Sequence, residues 1–407
     1  MSNMKRINGT TPLAKAAALS VAVLAFASGQ QAVASDAGRA QALRMYERLT
    51  GTPPSQAVLD DLEIQIGASP SDASRQAVAA YIINPANATS KNFYTVTLKN
   101  FATPWTNRDQ AIFAPLNDYT ATVIGLVKDD ADFRTVLFDD VVYIGSGAGV
   151  PAYSPTSNAH YEALESENVD LRGLTRTTQS SLNGLPPAAT AGVITSRAAS
   201  EAFFIDGTNR AMFRFTLLNH MCRDMEQIHD TSRPPDRIRQ DVTRSPGGDS
   251  SVFNNNCIGC HSVMDSMAQA FAYYDFDETA GRLVYTPGQV QPKYLINSDN
   301  FKPGFVTPDD TWDNRMRLDG KNDAIVLEWA GAPMTGHGNG AKSLGQEFAY
   351  SGAFAECQAE KVFRKVCFRS PNSPADHTAI GSMKTTINGN GSLRRAFAQA
   401  AASCAGQ

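Results

Sequence analysis

The chain has no excess of basic residues, few charged residues and few cysteines. Its 36 Lys and Arg stand against 40 Asp and Glu, and charged residues make up 19% of its 407 positions. Because phosphate backbones are bound by clustered Lys and Arg, this balance argues against a nucleic-acid partner. Six cysteines are too few for a disulfide-dense mini-scaffold. The hydrophobic content of 42% indicates a globular chain rather than a disordered one.

The chain also has few long apolar runs, and the longest one lies near the N-terminus. Three positive residues precede Ala16–Ala27, and the small-x-small site Ala32-Val33-Ala34 follows. This order predicts a signal peptide over residues 1–34, cleaved after Ala34; the alternative is a buried N-terminal helix. No later stretch reaches the roughly 18 apolar residues of a membrane span. We therefore expect a periplasmic or secreted protein without a transmembrane span, in a compartment where disulfides persist.

Strand-like alternation is weak, whereas apolar residues recur at helical spacing along most of the chain. The sequence therefore predicts a mainly α fold, without internal repeats. The predicted helical segments are 37–50, 57–66, 73–83, 93–101, 118–127, 133–138, 159–167, 188–204, 209–229, 352–369 and 393–403.

The strongest chemical signal is the pentapeptide Cys257-Ile258-Gly259-Cys260-His261. C-x-x-C-H is the attachment pattern of c-type haem. Two thiols three residues apart can each form a thioether with one vinyl group of the porphyrin, and the next residue, His261, can ligate the iron. The motif predicts one covalent haem c held by Cys257, Cys260 and His261.

Three other interpretations of the motif are weaker. A thioredoxin-like C-x-x-C needs a preceding strand within a βα unit, and residues 250–256 (SSVFNNN) do not provide one. A zinc site needs a second pair of ligands at similar spacing, which the sequence lacks. A structural disulfide between Cys257 and Cys260 leaves the adjacent histidine unexplained.

A second iron ligand is expected in the glycine-rich segment Trp329–Gly340, where Met334 follows a proline. A methionine partner raises the iron potential, whereas an open position permits peroxide or oxygen chemistry. Met264 and Met267 lie too close to His261 to cross the ring, so they are predicted to be packing residues. His337 is the main competitor of Met334; the remaining alternatives are an open site, Met316, Met383, His220 and His229.

The other four cysteines form an even set, for which we predict two disulfides. Cys357 and Cys367 lie on one predicted helix, roughly 15 Å apart by the helical rise. That separation exceeds the ~7 Å limit for a bridge, so two pairings stay open. We favour Cys367 with Cys404, which joins the ends of the last two helices, and Cys222 with Cys357.

The stretch Cys257–Leu283 resembles the haem segment of planctomycete-type cytochrome proteins, whose pattern is C-x-x-C-H-x-x-x-D-P-x-G-x-x-L-x-x-F-D-x-x-G-x-x-R. Asp265, Phe276-Asp277 and Gly281-Arg282 fall near the family positions, but Ser266 and Ala268 replace the usual Pro and Gly. The flanks 191–222 and 343–369 are also similar, so the resemblance covers about residues 110–370. It implies an exported haem c protein of unsettled role, with no established substrate or distal ligand.

Together these features predict a helical c-type cytochrome domain over residues 188–407 and an additional N-terminal helical region over 35–187. The expected function is electron transfer between redox donor and acceptor proteins that the sequence does not name. One alternative is a haem enzyme, of peroxidase or oxidase type, with an open or displaceable distal position. Another is a binding or assembly subunit that carries haem.

Overall fold

The computed structural model of the protein describes residues 37–205, 207–238, 250–295, 304–318, 327–329 and 336–406. This part of the chain is 58% helical and 7% strand, which confirms the predicted mainly α class. The predicted signal peptide, 1–34, lies outside the described residues. Within those residues, no helix has the length and apolar character needed to cross a membrane.

Three helices begin the described chain: α1 (37–50), α2 (Gln56–Ile66) and α3 (Asp72–Ile82). All three agree closely with the helices predicted from periodicity. At the start of α3, the side chains of Ser71 and Ser74 accept hydrogen bonds from each other's backbone N–H groups. This capping box satisfies donors that a first helical turn leaves unpaired, which fixes where the helix begins.

The next part of the chain combines short helices with a two-stranded antiparallel sheet, formed by β1 (Val142–Ile144) and β2 (Thr175–Thr177). Every residue of α5 from Asp118 to Val127 is buried, so this helix lies at the centre of the packing. In chain order the elements are a π-helical turn Phe93–Leu98, α4 (Lys99–Ala102), α5 (Asp118–Lys128), a 3-10 turn Phe133–Leu137, β1 (Val142–Ile144), α6 (Ala159–Ser166), β2 (Thr175–Thr177) and α7 (Gln179–Asn183).

Two helices predicted over 188–204 and 209–229 are shorter in the structure. The first is α8 (Arg197–Phe203), which begins only after a 3-10 turn that opens at Gly192, where φ is +53°. The second is α9 (Arg210–Met221). It ends at Cys222, whose backbone adopts the left-handed conformation that commonly terminates a helix.

The C-x-x-C-H segment follows α9 and lies among short elements. The sheets of the described residues are all two-stranded and antiparallel. In this part of the chain, β3 (Tyr274–Asp277) pairs with β4 (Arg282–Tyr285), and β5 (Thr311–Asp313) pairs with β6 (His337–Asn339). The elements are α10 (Ser250–Val252), a π-helical turn Phe253–Cys257, α11 (Ile258–Ala268), β3 (Tyr274–Asp277), β4 (Arg282–Tyr285), β5 (Thr311–Asp313), α12 (Arg315–Leu318) and β6 (His337–Asn339).

Four helices close the chain: α13 (Gly340–Ala349), α14 (Gly352–Cys367), α15 (Pro374–Asn390) and α16 (Leu393–Cys404). Two disulfides cross-link α9, α14 and α16, and both pairings are those favoured from the sequence. The first disulfide, Cys222–Cys357, joins the end of α9 to α14, with Cα atoms 5.2 Å apart. The second, Cys367–Cys404, joins the ends of α14 and α16, with Cα atoms 5.7 Å apart.

One cluster of buried hydrophobic residues extends from Ala42 to Ala405. The helix α16 packs against α3, and α14 packs against α9, α15 and α16. Helices from both predicted regions, 35–187 and 188–407, therefore contribute to the same core. The boundary at residue 187 stays a prediction.

Candidate haem site

The pentapeptide lies where the π-helical turn Phe253–Cys257 passes into α11. At about 100° per residue, Cys257, Cys260 and His261 fall within an arc of about 100° on one side of the helix. All three are partly exposed, whereas the residues from Ser262 onward are buried. The motif therefore presents two sulfur atoms and an imidazole on one accessible face at the start of α11.

Cys257 and Cys260 are free thiols, although the other four cysteines form disulfides. The sulfur of Cys260 lies 3.7 Å from the carbonyl oxygen of Met225. Burial raises the pKa of the Cys260 thiol above its ordinary value, and the neighbouring Cys257 and Glu226 raise it further. Thiol–disulfide catalysts instead have a lowered thiol pKa, so this environment argues against such chemistry.

Gly259 lies on the opposite side of α11 from the two cysteines. A Cβ atom at this position would overlap the imidazole ring of His229, so the two are in direct contact. The backbone N–H of Asp230 also donates to the carbonyl of Gly259, at 3.2 Å. His229 therefore packs behind the face that carries Cys257, Cys260 and His261. That position disfavours His229 among the alternative iron ligands.

His261 is held by a hydrogen-bond network that the sequence interpretation missed. Its Nδ1 lies 3.0 Å from Oδ2 of Asp265, one helical turn further along α11. The Nε atom of Arg210, at the start of α9, lies 3.1 Å from Oδ1 of the same carboxylate. The side chain of Asp265 has no exposed surface, whereas 17% of the His261 side chain is exposed. The i, i+4 spacing of His261 and Asp265 was the available sequence signal.

The residues fit a covalently attached haem by the chemistry of their donor atoms. An ionised carboxylate only accepts hydrogen bonds, so the contact with Asp265 places a proton on Nδ1 of His261. The unprotonated Nε2 is then the atom whose lone pair can bind iron. Two free thiols lie on the same face at the spacing that thioether formation requires.

The favoured second ligand, Met334, lies outside the described residues. Its competitor His337 begins β6 and pairs with Asp313 of β5, where its side chain is exposed. Met264 and Met267, predicted to be packing residues, both belong to the buried core.

Three further alternatives for the iron ligand are buried in the protein interior. Met316 lies in α12 and Met383 in α15, and both side chains are almost completely shielded from solvent. The Nε2 atom of His220, near the end of α9, lies 2.6 Å from the hydroxyl oxygen of Tyr119. The Nε2 atom of His220 is therefore already hydrogen-bonded to Tyr119.

His220 belongs to a second buried polar cluster, remote in sequence from the C-x-x-C-H motif. The Nζ of Lys361 contacts the carbonyl oxygen of Asn219 and lies 4.2 Å from the centre of the Trp105 ring. Burial lowers the pKa of Lys361 to about 7. Burial and the nearby Lys361 also hold the pKa of His220 well below its ordinary value. Both effects favour the neutral forms of these two side chains.

Comparison with protein-family models, with curated proteins and with solved structures finds no match to this chain. The resemblance to planctomycete-type cytochrome proteins therefore stays a prediction from the residues that carry it. The assignment of the candidate site depends on the motif and on the geometry around it.

Proposed function

We propose that the protein is an exported monohaem c-type cytochrome that transfers electrons between redox partner proteins. One observation carries the proposal. Two unpaired thiols and a histidine with its Nδ1 held by a carboxylate share one accessible face of α11. That set of donors, in that order along the chain, is what covalent haem attachment requires.

Each residue of the motif has a distinct role in this proposal. Cys257 and Cys260 would hold the porphyrin through thioether bonds, and His261 would bind the iron through Nε2. Haem, when bound, supplies a reversible one-electron couple. The partial exposure of all three side chains keeps this face of α11 within reach of a partner protein.

We further propose Met334 as the second iron ligand. Visible and magnetic circular dichroism spectra of the purified holoprotein test this assignment. We expect a six-coordinate low-spin haem with a methionine–iron charge-transfer band that Met334→Ala removes and the matched variant His337→Ala retains. A low-spin spectrum that lacks this band, and that His337→Ala converts to a high-spin spectrum, would instead assign the position to His337. A five-coordinate high-spin ferric spectrum would contradict the electron-transfer proposal.

A second candidate, a haem enzyme with an open or displaceable distal position, is favoured by one observation. The hydrogen bond from His261 to the buried carboxylate of Asp265 makes the imidazole a stronger donor to iron. A stronger donor stabilises higher oxidation states, which peroxide or oxygen chemistry uses. Rapid reaction of the ferric holoprotein with hydrogen peroxide, together with a high-spin spectrum, would favour this candidate.

Export is part of the proposal, and the two disulfides support it because such bonds persist in oxidising compartments. N-terminal sequencing of the protein recovered from a periplasmic extract tests the leader. We expect Ser35 as the first residue, since cleavage is predicted after Ala34. An intact N-terminus on cytoplasmic protein would contradict export.

A further inference from the structure

We propose that Asp265 is a positioning residue that fixes the orientation of the iron-binding imidazole and lowers the reduction potential of the haem. This inference rests on the proposed function, because it concerns how His261 would bind iron. The geometry that supports it is the contact of 3.0 Å between Nδ1 of His261 and Oδ2 of Asp265.

The position and burial of Asp265 distinguish this contact from an exposed ion pair on the protein surface. His261 and Asp265 are four residues apart on α11, so their side chains stack on one face of the helix. The Asp265 side chain is fully buried. Its second oxygen is held by Nε of Arg210, at 3.1 Å, and the helices α9 and α11 pack together. Burial and the contact with Arg210 therefore fix the position of the carboxylate independently of its contact with the imidazole.

A carboxylate affects a metal-bound imidazole more strongly than a neutral acceptor does. A hydrogen bond to an ionised acceptor is roughly twice as strong as a bond between neutral groups. It draws the Nδ1 proton away from the ring, and this increases the basicity of Nε2. A more basic ligand stabilises ferric iron relative to ferrous iron, so the midpoint potential falls.

Arg210 opposes this effect to a limited extent. The guanidinium neutralises part of the carboxylate charge and so weakens its attraction for the Nδ1 proton of His261. Asp265 and Arg210 therefore have opposite influences on the potential. Loss of the carboxylate should raise the potential, and loss of the guanidinium should lower it.

The test is a spectroelectrochemical titration of the full-length holoprotein and its variants. For Asp265→Asn we expect at least a tenfold shift of the ferric–ferrous equilibrium toward the ferrous form, comparable to the lower end of the 10–100-fold effects on metal affinity or activity that follow loss of a hydrogen-bond partner of a metal ligand. A tenfold shift corresponds to about 59 mV for one electron. Asp265→Glu retains the carboxylate and should restore a potential closer to that of the unchanged protein.

Asp230→Asn is the matched control for the loss of one negative charge beside α11. The backbone of Asp230 bonds to Gly259, and its carboxylate pairs with Arg233 at 3.3 Å. We expect this variant to leave the potential nearly unchanged. Equal shifts for Asp265→Asn and Asp230→Asn would overturn the inference, because Asp265 would then act only through its negative charge.

Two further measurements keep the inference testable if Asp265→Asn does not fold. Arg210→Gln retains the bond between His261 and Asp265 and should lower the potential; an unchanged or higher potential contradicts the inference. A pyridine haemochrome assay distinguishes failure of the proposed function from failure of the inference about Asp265. Absence of covalent haem in the unchanged protein refutes the proposed function, whereas one haem per chain with an unresponsive potential refutes only the role of Asp265.

Discussion

Two glycines inside helices provide a matched test of how the C-terminal helices pack. Gly345 lies in α13 and is buried against the 3-10 turn Phe133–Leu137. A Cβ atom at this position would overlap the backbone carbonyl of Leu137, a group that cannot rotate away. Gly381 lies in α15 and is exposed, and a Cβ atom there would meet nothing within 4 Å. Alanine should therefore have opposite effects at the two positions.

The expected magnitudes follow from helix propensity and packing. Alanine is favoured over glycine by about 0.8–1.0 kcal/mol in a helix interior, so Gly381→Ala should stabilise the protein by about that amount. Gly345→Ala has the same gain but adds an overpacking cost of about 1–3 kcal/mol. We expect the upper end of that range because the obstacle is backbone. The net result is a loss of about 2 kcal/mol and a difference of about 3 kcal/mol between the variants.

Urea unfolding followed by far-ultraviolet circular dichroism measures both free energies of unfolding. The disulfides stay oxidised throughout, so that each variant is compared with the same cross-linked chain. Equal stabilisation by the two substitutions would refute the close approach of α13 to the turn at Leu137. Destabilisation by Gly381→Ala would show that α15 is not an exposed helix at that position.

Three further predictions use the same unfolding assay. On the chain-entropy model, replacing both cysteines by alanine should cost about 5 kcal/mol for the first disulfide and about 4 kcal/mol for the second, since their sequence separations are 135 and 37 residues; an equal or reversed order would contradict the model. Arg317→Met should cost about 3–5 kcal/mol, because it removes the positively charged partner, at 2.9 Å, of the fully buried carboxylate of Glu347 and leaves it only the hydrogen bond from Asn314; the double variant R317M/E347M should recover most of the loss, and no recovery would refute the coupling. The pKa of Lys361 is lowered from 10.5 to about 7 in the folded protein. The folded state therefore binds fewer protons between these pH values, so stability should rise with pH across that window. Lys361→Met should flatten this rise, and an unchanged slope would contradict burial of the amine.

Amphipathic helices with strong start signals could be predicted from the sequence. The helices α2, α3, α5, α14 and α16 begin and end within about two residues of their predicted bounds. The prediction missed α15, because its exposed face is polar and Gly381 and Gly389 interrupt it. Its signal was the start of the segment, where Ser373 and Asp376 form a capping box around Pro374.

The extent of other helices depended on contacts that periodicity does not encode. The helix α9 stops at Cys222, where the chain turns to form the disulfide with Cys357. The hydrophobic pattern continues to Met225, so a local interpretation extended the helix past its end. Gly192 and Ser196 likewise divide a segment that composition alone makes uniformly helical.

The candidate site was only partly predictable for a similar reason. The spacing of Cys257, Cys260 and His261 predicts covalent haem attachment from a single sequence because all three residues are local in sequence. The second contact to Asp265 comes from Arg210 on another helix, and only the packing of α9 against α11 brings them together. Long-range contacts of this kind leave no periodic trace in a single sequence.

The most direct test of the central claim is whether haem is covalently bound to this chain. The full-length protein is produced together with a c-type haem maturation system, purified, and measured by intact mass and by the pyridine haemochrome spectrum. We predict one haem per chain that resists acid–acetone extraction and is lost in the variant C257A/C260A. Protein without haem, or haem that is fully extracted by acid–acetone, would contradict the account.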